Sequence, residues 1–102
     1  MEVTITQTEK SMTAKLVGRL DTPSSQEVSQ KLEPLMENAD KELILDCTEM
    51  SYISSSGLRI LLTLRKQAAA KGGKVVILNI NDEIRQVFMM TGFLNLFEIK
   101  NA

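Results

Sequence analysis

Residues 42–78 place the tightest constraint on what this chain can become. Glu42-Leu43-Ile44-Leu45-Asp46-Cys47 is a short apolar run without clean alternation, the pattern of a strand covered on both faces. A connection, Thr48-Glu49-Met50-Ser51-Tyr52-Ile53, leads to three consecutive serines and Gly57. Beyond them Leu58, Leu61, Leu62 and Arg65 share one helix face, which Ile60, Leu64 and Ala68 broaden. Lys71 followed by Gly72-Gly73 is a helix stop. Lys74-Val75-Val76-Ile77-Leu78 then reads as a second buried strand. Two buried strands joined by a long helix form a crossover unit, so the strands run parallel.

The rest of the chain extends this unit in both directions. Val3 and Ile5 alternate with Thr4 and Thr6, and Met12, Ala14 and Leu16 alternate with Thr13 and Lys15. Period two predicts two strands, and the short polar Gln7-Thr8-Glu9-Lys10 between them predicts an antiparallel hairpin. Gly18 is expected to end the second strand. A helix follows, with Pro23 in its first turn. Asp21 or Thr22 is its cap, and Ser24 with Glu27 also fits a capping box. Val28, Leu32, Leu35 and Met36 form its apolar face, and Pro34 predicts a kink or an early finish. Asn81 or Asp82 caps a last helix, whose face holds Ile84, Val87, Phe88 and Thr91, and Gly92 stops it. Phe93-Leu94-Asn95-Leu96 fits one helical turn, and Phe97-Glu98-Ile99 a final short strand. The expected fold is α/β: a mostly parallel four- to five-stranded sheet, a hairpin strand at one edge, and helices mainly on one face. Residues 1–102 form one domain in this reading.

Composition removes chemistry. The chain has no histidine and one cysteine, Cys47. That excludes a Ser-His-Asp triad, a Cys-His pair, a His-ligated metal and an internal disulfide within it. It carries no Gly-x-x-x-x-Gly-Lys phosphate loop and no Gly-x-Gly-x-x-Gly fingerprint. Lys and Arg number 12 against 13 Asp and Glu, so no basic footprint for nucleic acid exists. No apolar run approaches a membrane span and the first residues are not a signal peptide, so a cytoplasmic location is expected. A binding module without a cofactor or metal is favoured over a nucleotide-binding or hydrolytic protein.

The serine cluster stands out from this background. One or two serines suffice to cap a helix. A third, beside Gly57, puts hydroxyls on a helix end where backbone donors and the helix dipole also favour an anion. The cluster is either a serine-rich cap or a phosphorylation site.

Several segments together resemble the STAS domain, the family named for sulfate transporters and anti-sigma factor antagonists. Gly18-Arg19-Leu20-Asp21 is similar to its Gly-x-Leu-Asp after the second strand. Asp46-Cys47-Thr48-Glu49-Met50-Ser51-Tyr52-Ile53 resembles its Asp-Leu-Ser-x-Val-x-Phe-x connection. Ser54-Ser55-Ser56-Gly57-Leu58 resembles Asp-Ser-Ser-Gly-Leu, whose first serine is the phosphorylated one. Lys71-Gly72-Gly73, and Phe88 through Thr91-Gly92 to Leu96-Phe97, agree in type and order. The resemblance implies an anti-sigma factor antagonist that is itself no enzyme. Unphosphorylated, such a protein binds an anti-sigma factor that is also a serine kinase, which frees a sigma factor. Phosphorylation by that kinase breaks the complex, and a serine phosphatase resets it. A STAS subunit of another complex, a lipid-transport machine or a signalling scaffold, is the alternative.

By position the resemblance makes Ser55 the phosphoacceptor. The family's Asp is Ser54 here, so Ser54 and Ser56 are the competing hydroxyls. The expected partner surface comprises Asp21, Thr22, Ser54, Ser56, Gly57, Arg59 and Met89. Each has a simpler role beside it. Asp21 and Thr22 also fit a helix cap, Ser54 and Ser56 fit caps, and Arg59 fits a solvated face. Met89 lies off the helix face of Ile84, Val87 and Phe88, where an exposed methionine suits either an adaptable contact or an ordinary surface. Asp46 fits local backbone bonding and Cys47 a small core side chain.

Overall fold

In the computed structural model, which describes residues 1–101, both period-two stretches are strands. They are β1 (Glu2–Gln7) and β2 (Ser11–Leu20), paired antiparallel without interruption from Glu2↔Val17 to Gln7↔Met12. Thr8 closes the turn: its N–H donates to the Ser11 carbonyl at 2.8 Å, and its hydroxyl lies 2.8 Å from that of Ser11. β2 runs past Gly18 to Leu20, so the glycine does not end the strand as expected. Its φ of +106° marks it as an irregularity inside the strand, a conformation that L side chains rarely adopt.

Helix α1 (Thr22–Lys31) finishes early and α2 (Glu33–Glu37) restarts at once, with Leu32 as the shared cap. Pro34 is tolerated because it falls in the first turn of α2, where its missing N–H costs nothing. Val28, Leu32 and Leu35 are buried, as their spacing predicts.

β3 (Glu42–Ile53) corrects the sequence reading most. It has twelve residues where six were expected, and the supposed connection of residues 48–53 is strand. It pairs in parallel with all of β2, which has ten. The register shifts between Lys15 and Val17 and again between Gly18 and Arg19, and at each shift β3 carries one extra residue. These are β-bulges. They explain the missed strand, because buried residues fall at Leu43, Leu45 and Cys47 and then at Met50 and Ile53, breaking the period of two. Nor is β3 covered equally on both faces: Leu43, Leu45 and Cys47 are buried while Glu42, Ile44 and Asp46 are half-buried.

The remaining elements are α3 (Ser55–Lys71), β4 (Lys74–Leu78), α4 (Asp82–Thr91), a 3₁₀ turn (Phe93–Asn95) and β5 (Glu98–Lys100). The five strands form one sheet in chain order, and all pairs after β1–β2 are parallel. Residues from α1 to α4 join Met12, Ala14, Leu16, Leu43, Leu45 and Ile77 in one apolar cluster. The helices therefore cover a single face, as right-handed crossovers between successive neighbours require. The opposite face carries an ion-pair ladder, in which Lys74 meets Glu42 at 3.3 Å and Glu98 at 3.2 Å. Among the described residues no helix is long and apolar enough to cross a membrane.

Phe88 closes the α4 end of the core. It is fully buried, and its ring centroid lies 5.8 Å from that of Phe93 and 6.4 Å from that of Phe97. Phe88→Ala should cost roughly 3–5 kcal/mol of stability, read as a lower denaturation midpoint in urea with far-UV circular dichroism retained at zero denaturant.

Candidate functional site

Parallel strands deliver their carboxyl ends to the same edge of the sheet. Leu20, Ile53 and Leu78 end β2, β3 and β4 there, and a helix cap follows each: Asp21, Ser54 and Asn81. Ligand sites of open α/β sheets also lie at the carboxyl ends of the strands.

Each cap is held differently. Asp21 Oδ1 accepts from Ser24 N–H at 3.1 Å, and Asp21 N–H donates back to Ser24 Oγ at 3.1 Å. The capping box is thus Asp21 with Ser24, not Ser24 with Glu27. The hydrogen bonds from Ser24, with help from Arg19, hold the Asp21 carboxyl below its ordinary value of 3.8. Asn81 Oδ1 accepts from Ile84 N–H at 2.8 Å, and its Nδ2 donates to the Met50 carbonyl at 3.3 Å, tying α4 to the bulged half of β3.

The three serines, equivalent in sequence, separate into three roles. Ser54 is buried: its Oγ accepts from Gly57 N–H at 3.2 Å, and its own N–H donates to the Leu20 carbonyl at 2.8 Å. Ser56 is half-buried, with its Oγ 3.3 Å from Thr22 Oγ1 across the α1–α3 contact. Ser55 opens α3, is exposed, and its hydroxyl has no hydrogen-bond partner among the described residues.

Gly57 makes this sorting possible. A β-carbon there would lie 2.7 Å from Leu20 Cγ and 2.8 Å from Ile53 Cγ1, closer than such atoms approach, so only glycine lets α3 start this near the strand ends. Expected as partner contacts, Ser54 and Gly57 instead face the protein's own interior. Thr22 and Arg59 are exposed. Arg59 has no ion pair among the described residues and stands one helical turn from Ser55.

Two features of this end were not anticipated. The Arg19 guanidinium lies 4.2 Å from the centroid of the Tyr52 ring and 3.6 Å from Asp21 Oδ2, linking the α1 cap to β3. Tyr52 also lines a shallow groove with Ser51, Ile53, Glu83, Ile84 and Val87. The large exposed hydrophobic side chains are Tyr52, Met89 and Met90, and Met90, at 86 %, is far more open than Met89, at 60 %. At 100° per residue Met90 follows Glu83 and Val87 down the groove side of α4, while Met89 points elsewhere. By that spacing Met90, and not Met89, is the methionine on the groove side of α4, one turn beyond Val87. The signal was in the sequence, as the spacing Glu83, Val87, Met90, but the groove that gives it meaning is made by the bulged end of β3.

Asp46 and Cys47 take their simpler roles. Asp46 Oδ1 accepts from the Thr48 hydroxyl at 2.6 Å and from Thr48 N–H at 3.1 Å, inside β3 at its first bulge. Burial pushes the Cys47 thiol up to about 12, which makes it unreactive.

Comparison with known proteins agrees with this architecture. The family model of the STAS domain matches residues 2–102. BtrV of Bordetella bronchiseptica is 28 % identical over 102 residues, spanning 100 % of this chain and 88 % of its own length. The anti-sigma-B factor antagonist of Bacillus subtilis is 27 % identical over 100 residues, spanning 97 % of this chain and 90 % of its own. Among solved structures, the anti-sigma factor antagonist SpoIIAA in its unphosphorylated form superposes with a TM-score of 0.76 at 19 % identity, covering 99 % of this chain and 89 % of that one. Its phosphorylated form, from Bacillus, gives the same score at 20 % identity, covering 99 % and 91 %. At these identities the likeness to SpoIIAA is one of fold.

The capping geometry fixes how Asp21 contributes to stability. A carboxyl held below its unfolded value stabilises the fold above that value and loses the contribution as pH falls through the lowered one. Asp21→Ala should lower the thermal midpoint at neutral pH, and the gap from the parent should close as pH drops below 3.8. Melting curves of both proteins between neutral and acid pH check this.

Proposed function

The chain belongs to the STAS domain family, and from that premise we propose that it is an anti-sigma factor antagonist switched by phosphorylation of Ser55. In the unphosphorylated state it binds an anti-sigma factor that is also a serine kinase, and so frees a sigma factor. Phosphorylation by that kinase ends the complex, and a serine phosphatase restores the binding form. The chain is the substrate of these enzymes and catalyses nothing itself. The relative in Bacillus subtilis that bears the name anti-sigma-B factor antagonist supports the first part of this reading.

One observation carries the second part. Of three adjacent hydroxyls, Ser55 is the one both exposed and without a hydrogen bond among the described residues, while Ser54 is a buried cap and Ser56 meets Thr22. A kinase reaches Ser55 without breaking any contact.

The same geometry explains how phosphate acts. A phosphoserine carries roughly −1.5 to −2 charge near neutral pH. At the first position of α3 that charge meets the positive end of the helix dipole, a local gain of about 0.3–1 kcal/mol, and Arg59 stands one turn away. The modified protein stays folded. The penalty falls at the interface, where like charges brought together cost several kcal/mol and ~1.4 kcal/mol already changes affinity tenfold.

In this reading the docking face runs from Thr22 and Ser56 across Ser55 and Arg59, then along Tyr52 and the groove to Met90. Asp21 acts on it through Arg19 and the α1 cap.

Two experiments test the reading. Incubation with the cognate anti-sigma factor kinase and ATP, followed by mass spectrometric mapping, should place phosphate on Ser55; phosphate on Ser54 or Ser56 alone would overturn the assignment. Ser55→Ala should abolish modification, keep partner binding and shift stability by no more than about 0.5 kcal/mol, as for a surface side chain without a partner. For the groove, Met90→Ala should weaken binding of the same kinase by about 1 kcal/mol, a several-fold loss, with Met89→Ala closer to neutral in parallel calorimetric titrations.

A further inference from the structure

The two edges of the sheet are built differently. β5 has three residues, two of them the charged Glu98 and Lys100, and Glu98 is also paired with Lys74. Short, charged edges are how sheets avoid pairing with other chains. β1, at the other edge, has six residues and among the described residues pairs only with β2. It holds no Pro, Lys or Arg, its register is unbroken by a bulge, and its one charge, Glu2, is at its start. Val3 and Ile5 are only half-buried, so the rim of the core lies open along this strand.

The sequence of β1 is also complementary to itself. In an antiparallel pair about a twofold axis at Thr4, Val3 lies opposite Ile5 of the second copy, Ile5 opposite Val3, and Glu2 opposite Thr6. Both apolar residues of each strand find a β-branched neighbour on the core face, and no like charges meet. A slip of one residue would set Val3 against Thr6 and Ile5 against Thr4, placing apolar side chains on opposite faces of the joined sheet.

We propose that β1 is an interface for a second copy of this chain, joining two sheets edge to edge about a twofold axis at Thr4. The product is one continuous ten-stranded sheet. Because β1 runs antiparallel to β2 in each copy and the two β1 strands run antiparallel to each other, the two β2 strands point in opposite directions. The Ser55 ends then lie at opposite ends of the joined sheet, and both remain open.

The test needs only the purified protein, so its outcome is separate from that of the Ser55 reading. Sedimentation velocity over a concentration series should show the mass moving from one chain toward two. Thr4 is exposed and sits on the proposed axis. Thr4→Lys and Thr4→Glu each place like charges across it and should weaken association about tenfold or more, since like charges directly opposite destabilise a strand pair. Thr4 also pairs with Lys15 within the chain, which disfavours only the lysine variant, so agreement between the two isolates the axis. An equimolar mixture of the folded variants, verified by circular dichroism, should recover the two-chain mass. A single-chain mass at every concentration, dimers indifferent to both charges, or a mixture that stays dissociated would each overturn the proposal.

Discussion

The close seat of Gly57 between Leu20 and Ile53 is what the functional end of the fold depends on. With no side chain in the way, the first turn of α3 lies directly on the carboxyl ends of β2 and β3. Ser54, held there by Leu20 and Gly57, has no freedom to turn outward. Its neighbour at the first helical position must then face solvent. A larger residue at 57 would overlap both flanking side chains and lift the helix start. The exposure of Ser55 is thus a consequence of packing underneath it.

The two bulges in β3 set the surroundings of that hydroxyl. Each extra residue turns the strand, and together they bring Ser51 and Tyr52 out beside α4. Ser51 Oγ donates to the Gly18 carbonyl at 3.2 Å, and Asn81 reaches Met50, so the irregular half of the strand is secured from both sides. Arg19, itself next to the irregular Gly18, then covers Tyr52 and meets Asp21. A cap, a cation, an aromatic ring and a groove become one continuous surface because β3 departs from regular pleating.

Charge is distributed in keeping with this division. The ion pairs of Lys15 and Lys74 lie on the face of the sheet away from the helices, where they are exposed and contribute little each. At the Ser55 end Arg59 has no ion pair among the described residues and Asp82 and Glu83 are exposed at the start of α4. Both signs therefore remain available to a docking protein, alongside the apolar Tyr52, Val87 and Met90.

The sequence alone determined the order and type of the elements. Period-two alternation located β1 and β2, unbroken apolar runs located β3 and β4, helical spacing located the main helices, Pro34 located the helix break, and the glycine stops located the ends of α3 and α4, because these signals depend on neighbours in the chain. It also determined that a serine sits at a helix start, and what kind of chemistry histidine-free composition excludes. The full length of β3 was not legible, since its bulges replace a period of two with spacings of three at Cys47, Met50 and Ile53. Only the tertiary structure decided which serine is free. Burial of Ser54 comes from β2, the contact of Ser56 comes from α1, and the groove beside Glu83 and Val87 of α4 comes from β3. Each of those neighbours is more than thirty residues away in the chain, and no local pattern encodes the side chain that a distant element will cover.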